Sequence, residues 1–266
     1  MAKGIRWTRD ELLVLLNLYE KLPFGQFDEA QPVVRELATR MSRTPGSVAM
    51  KLCNLASLDP AILARGRKGL PGASALDRQV WTEFQSQKEK LAPESEQLFR
   101  AIFGAKESED LEVIRGVGVQ ITKIPEMPTG PTEAKKETTV RRGQQFFRQV
   151  VLNAFDGRCG VTGIPIRELL VASHILPWAK YREHRLDQQN GICLSRIHDA
   201  AFDKGLISFD ENYCLLIGKR LRRHLPQEAL VANFVTYEGK PLHIPNDSLA
   251  PNLQFLSVHR KEQFDK

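Results

Sequence analysis

Residues 169–210 read LLVASHILPWAKYREHRLDQQNGICLSRIHDAAFDKGLISFD, and this stretch decides the fold of the carboxy-terminal half. The apolar run Leu169 to Ala172 predicts a short buried strand that ends at Ser173-His174 and leaves an imidazole at a strand terminus. Pro177 has no N–H to give, so ladder pairing stops there on that side. Lys180 to Gln189 is polar and reads as a loop. Asn190-Gly191 then opens a second apolar strand, Ile192 to Leu194, and the two strands can pair as a hairpin. Ser195 suits a helix N-cap, His198 lies in the first turns behind it, and Gly205 is the natural stop. The order is strand, loop, strand, short helix.

His174, Asn190 and His198 stand sixteen and eight residues apart. Each alone is ordinary, since a histidine at a strand end is often a surface residue and Asn-Gly is common turn chemistry. Together they resemble the ββα-metal fold of the HNH endonucleases, in particular its bacterial restriction-type members. RRGQQFFRQVVLNAF, CGVTG, ASHILPW, NGICLS and HDAAFDKGLI follow in order from Arg141 to Ile207. The resemblance implies three catalytic positions: His174 as general base, Asn190 as the amide that pins the loop, and His198 as a metal ligand on the helix. It implies one divalent ion, magnesium or manganese, with zinc or nickel as alternatives. It also implies hydrolysis of double-stranded DNA to 5′-phosphate and 3′-hydroxyl ends.

The residue before His174, which in many relatives is acidic or a second histidine that binds the metal, is Ser173 here. A neutral hydroxyl is a weak ligand for a hard ion, so His198 needs help. Asp203 is the expected second metal ligand, because the family pattern H-x-x-x-F-D-x-G includes it. Its offset from His198 puts it about 140° round an ideal helix, and Asp199 and His184 are the fallbacks.

Hydrolysis of a phosphodiester needs a cation on the scissile phosphate and an activated water opposite the leaving oxygen. Histidine can take the water's proton near neutral pH. One metal at one site cleaves one strand, so a double-strand break would need a homodimer or two successive events.

The chain has 266 residues, 42% apolar, with a net charge of +6. That is enough for two domains with real cores, and the excess of cations fits a polyanionic partner. Arg65, Arg67 and Lys68 cluster in one loop, Arg141 and Arg142 precede the nuclease-like segment, and Lys219, Arg220, Arg222 and Arg223 follow it. There is no long apolar run and Met1 to Asp10 is polar, so a cytoplasmic protein without a membrane partner is expected. Cys53, Cys159, Cys193 and Cys214 form no CxxC knuckle and read as reduced thiols.

Residues 1–115 read as a helical module. Thr8-x-x-Glu11 is a capping box with Leu12, Leu15, Leu16 and Tyr19 at helical spacing behind it. Helices starting near Pro32 and at Thr44-Pro45 follow. Three helices with a short turn before the third suggest a helix-turn-helix, similar to Myb/SANT-like modules, that reads DNA or binds a partner protein. In the DNA-reading case the third helix would point Arg43, Ser47, Lys51 and Asn54 outward as DNA-binding residues, with Arg141 and Arg142 adding phosphate contacts. Residues 74–115 are expected helical, 116–137 a proline-marked linker, and 138–266 the nuclease-like domain with a C-terminal β extension. The class is α+β. Two other readings stay open: a DNA-binding factor with a degenerate site, and a nuclease effector switched on by a partner.

Overall fold

The computed structural model describes residues 6–123 and 134–266, with side chains in the later stretch described from residue 140. The chain divides into two compact units, one up to Gln149 and one from Val150 onward, and the division falls inside a helix.

In the first unit α1 (Arg9–Lys21) begins with the expected capping box. Thr8 Oγ1 accepts from the Glu11 amide at 3.2 Å, and the Glu11 carboxylate accepts from the Thr8 amide at 2.8 Å. The apolar stripe read from Leu12, Leu15, Leu16 and Tyr19 is only part of what this helix buries. Leu13, Val14 and Leu18 are also sealed, so α1 is a central helix. It packs against α3 (Pro45–Ala56), α5 (Ala75–Ser86) and α6 (Lys88–Phe103). α2 (Pro32–Arg40) and the short α4 (Pro60–Ala64) complete the set, and all three of α2, α3 and α4 start with proline at the first turn, where its missing N–H costs nothing. Lys21 and Glu96 form a fully buried ion pair at 2.6 Å within this core.

The third helix does not present the face expected of it. Arg43 is spent on Glu11, donating at 2.7 and 2.8 Å, and its guanidinium lies 3.7 Å over the Trp7 ring. Lys51 pairs with the buried Asp77 at 2.8 Å, and the Asn54 amide donates to the Leu70 carbonyl at 3.1 Å. Ser47 returns its hydroxyl to the Thr44 carbonyl. α5 and the 65–74 loop occupy the surface that a free three-helix module would have offered to a groove. Arg142 is tied to Gln97 and Glu107, whereas Arg141 is exposed.

A second correction concerns residues 109–123, expected to be the end of a helical region and the start of a linker. They form a hairpin, β1 (Glu109–Ile114) with β2 (Gly118–Lys123), in register Leu111↔Ile121 and Val113↔Val119. Of the predicted linker, residues 124–133 lie outside the described residues. α7 (Ala134–Ala154) follows.

The second unit is built on β3 (Leu170–His174) and β4 (Gly191–Ser195), antiparallel, with Ala172 opposite Cys193 and His174 opposite Gly191. α8 (Arg196–Asp203) follows directly, and Gly205 at φ +62° ends it. A second hairpin, β5 (Ile207–Phe209) with β6 (Leu215–Ile217), comes next. The hairpin belongs to the expected β extension; beyond it the regular elements are helical, with α9 (Lys219–Arg222), α10 (Glu228–Asn233) and α11 (Leu253–Glu262) where further short strands were expected. Leu176, Ile192, Leu194, Phe202, Phe209 and Leu256 are buried in this unit's core. No helix among the described residues is long and apolar enough to cross a membrane.

Candidate active site

Asn190, with no exposed surface, closes the loop between β3 and β4 from the inside. Its side-chain oxygen accepts from the Leu176 amide at 2.8 Å and its Nδ2 donates to the His184 carbonyl at 2.9 Å. Its backbone carbonyl accepts from Ile175 at 2.9 Å. One residue thus ties both ends of the loop to the start of β4, which fixes the segment that lies against His174.

The His174 ring is held by that same loop. Its Nε2 is 3.0 Å from the Arg185 carbonyl, which can only accept, so Nε2 carries the hydrogen and Nδ1 is the acceptor in the neutral ring. Trp178 meets the ring edge-on at 5.3 Å. Arg185 in turn donates to the Trp178 carbonyl at 2.7 Å and stacks its guanidinium over that indole. Burial lowers the His174 pKa. The Arg185 carbonyl opposes the shift and the Arg185 charge adds to it, with a net result below the ordinary histidine value.

Ser173 is 2% exposed, and its hydroxyl faces the Asp199 carboxylate. It lies close enough to favour that carboxylate's charged form. Asp199 and Asp203 are one turn apart on α8 and therefore on one face. Burial raises the Asp199 pKa, against the partial relief from Ser173 and Arg196. Burial also raises that of Asp203, and the Asp199 charge raises it further. The two carboxylates thus share one face of α8, with Arg196 near the first and Lys204 near the second offsetting part of their charge.

His198, the expected metal ligand, is placed differently. It is fully buried, with Nδ1 2.8 Å from the Ser195 hydroxyl and Nε2 2.8 Å from the Asn233 carbonyl. The carbonyl fixes Nε2 as donor, so Nδ1 accepts from Ser195, and both nitrogens are engaged. Phe234 and Tyr237 pack on the ring. Asp203 is the last residue of α8, five positions on from His198 and therefore about 140° round the helix from it. His184 rests on Phe255 at 4.6 Å between ring centroids and lies within 4 Å of Glu183 and Asp187. Among the described residues no three His, Cys, Asp or Glu side chains converge on one point.

Cys159 contributes through its sulfur, which accepts from the Ser195 amide at 3.2 Å and from the Thr162 amide at 3.5 Å. It links the CGVTG turn to the start of α8. The four cysteines are free thiols.

Residues 159–210 match a family model described as HNH endonuclease. The carboxy-terminal unit therefore carries an HNH endonuclease domain, running from the Cys159 turn through β3, the loop, β4 and α8 to the end of β5. No curated protein matches the chain. Three residues that bear on the HNH domain fall outside the obvious motif: Arg185, whose carbonyl holds the His174 ring, Asn233, whose carbonyl holds His198, and His259, whose ring donates to the Phe202 carbonyl. Arg185 could have been suspected from its place in the loop. Nothing in the sequence marks Asn233, which acts through its main chain.

Proposed function

We propose that the protein is a metal-dependent DNA endonuclease in which His174 removes the proton from the attacking water. The observation that carries this reading is the His174 ring, kept neutral by burial and oriented by the Arg185 carbonyl through a loop that Asn190 locks. A neutral imidazole with one nitrogen committed as donor presents the other as a base of fixed direction. Asn190 holds that geometry without taking part in proton transfer.

The residues that fit a divalent ion are Asp199 and Asp203, with Ser173 beside them. They stand one turn apart on one face of α8, and burial together with the Asp199 charge disfavours the charged form of Asp203, a cost that a bound cation would offset. Two carboxylates suit magnesium or manganese, which keep several waters and take oxygens from a phosphate. When bound, such an ion neutralises the charge that grows on the scissile phosphate and on the leaving 3′ oxygen. His174 takes a proton from the water as its oxygen bonds to phosphorus, the P–O3′ bond breaks, and the 3′ oxygen takes a proton from solvent, giving 5′-phosphate and 3′-hydroxyl ends. The buried engagement of His198 argues for this carboxylate pair over the His198 and Asp203 pair.

The motif order from Arg141 to Ile207, with its likeness to restriction-type enzymes, supports a role in restriction or defence against foreign DNA. For the amino-terminal unit, the internal use of Arg43, Lys51 and Asn54 favours partner binding over reading a groove with α3. The test is plasmid cleavage with magnesium or manganese by the wild type and by His174→Ala. A loss of at least about 100-fold with DNA affinity retained is expected, and a wild-type rate in the variant would exclude His174 as the base.

A further inference from the structure

α8 carries the two carboxylates, and it is gripped at both ends by buried histidines wired in the same way. At its first turns the Ser195 hydroxyl donates to His198 Nδ1, and His198 Nε2–H donates to the Asn233 carbonyl at the end of α10. Ser195 is the N-cap residue and yet makes no side-chain capping bond to the helix, because its hydroxyl is used on the histidine. At the other end, the Ser208 hydroxyl lies 2.9 Å from His259 Nδ1, and His259 Nε2–H donates to the Phe202 carbonyl of α8's last turn at 3.1 Å. The His259 ring stacks on the Phe202 ring at 3.8 Å, nearly parallel.

The grip at this end continues past the side chains. Gly205, which stops α8, has its carbonyl bonded by the Asp265 amide at 2.8 Å. A Cβ on Gly205 would fall 2.0 Å from the Gln263 carbonyl oxygen. Asn233 and His259 both lie beyond residue 210, outside the stretch that matches the HNH endonuclease family.

The geometry points to His198 and His259 as positioning residues, a pair of neutral hydrogen-bonded latches through which α10 and α11 set the placement of Asp199 and Asp203. The inference rests on the carboxylate reading of the metal site and gives His198 a role other than ligand. A ligand must direct a lone pair at the ion. A latch needs only a donor to Asn233 and an acceptor for Ser195. Glutamine supplies a side-chain N–H at the reach of Nε2, while its only donor to a metal is a neutral amide oxygen at a different position from the imidazole lone pair, so restored latching and restored ligation can be told apart.

The experiment uses the full chain, with His198→Ala, His198→Gln, His259→Ala and His259→Gln beside the wild type and His174→Ala. Manganese affinity is measured by titration calorimetry, hydrogen exchange is followed in peptides covering 196–203, and kcat and KM are measured where the wild type cleaves. Both alanine variants should weaken manganese binding by about tenfold and speed exchange across α8. They should lower kcat about tenfold with KM nearly unchanged, because positioning is lost more than substrate binding. The glutamine variants should recover most of each loss. Loss of manganese binding in His198→Gln as complete as in His198→Ala would make His198 a ligand and overturn the inference. So would unchanged exchange and affinity in His259→Ala. A wild type that binds manganese but does not cleave would count against the endonuclease reading alone, since the exchange and affinity results still decide the latches.

Discussion

At the scale of single residues, the pair His174 and Asn190 was legible in the sequence because a strand end, an Asn-Gly turn and the spacing between them are local signals. His198 looked equivalent and is not. Its partners are Ser195 three residues back and a main-chain carbonyl at Asn233, thirty-five residues on, and a backbone acceptor leaves no mark in a sequence. The lowered pKa of His174 makes a directional prediction. A base works only when unprotonated, so kcat/KM falls as pH drops through the lowered value and is flat above it. The acid limb should therefore lie below the ordinary histidine range of about 6.5. An acid limb above that value in a pH–rate series would mean that His174 is not the group that titrates.

At the scale of elements, helix boundaries read well wherever a cap or proline marked them, as at Thr8, Thr44 and Gly205. Which face a helix buries did not. The apolar residues of α1 at 13, 14 and 18 face α3, α5 or α6, and only the tertiary arrangement reveals that the helix is enclosed. The β1–β2 hairpin was hidden because its alternation is short, with only Leu111 and Val113 buried in β1 after Glu109 and Asp110, while the preceding segment has helical spacing. α3 bears on function most directly. Lys51 is paired with an Asp77 that has no exposed side chain, so Lys51→Ala should cost about 3 kcal/mol by stranding a buried carboxylate. Urea unfolding would show this as a lower midpoint, and DNA affinity of the folded variant should not change. A variant of wild-type stability that binds DNA more weakly would return Lys51 to the role of a phosphate contact.

For the whole molecule, the buried His259 makes the stability of the carboxy-terminal unit depend on pH. His259 is buried, and burial lowers its pKa to about 4, against the hydrogen bond to Phe202 that opposes the shift. The folded unit therefore binds a proton less readily than the unfolded chain. The contribution is complete above about pH 6.5 and is lost as pH falls from there toward 4. By about pH 5 the loss amounts to roughly 2 kcal/mol. Urea denaturation at pH 7 and at pH 5, compared with His259→Gln, should show a stability loss between the two pH values that is smaller in the variant by about this amount. Equal losses would place the acid sensitivity elsewhere.

The Asn190 lock has a chemical consequence in time. Asn-Gly is the dipeptide most prone to deamidate, since the following amide nitrogen can attack the side-chain carbonyl to close a succinimide ring. In the folded chain that nitrogen belongs to Gly191 at the start of a strand, and the Asn190 amide is sealed and bonded on both sides. Ring closure has to wait for the loop to open. Each opening exposes the residue to a reaction that ends in aspartate or isoaspartate, and neither can donate to the His184 carbonyl. Stored protein therefore ages at the pace of its own unfolding, and the damage accumulates at the residue on which the His174 loop depends.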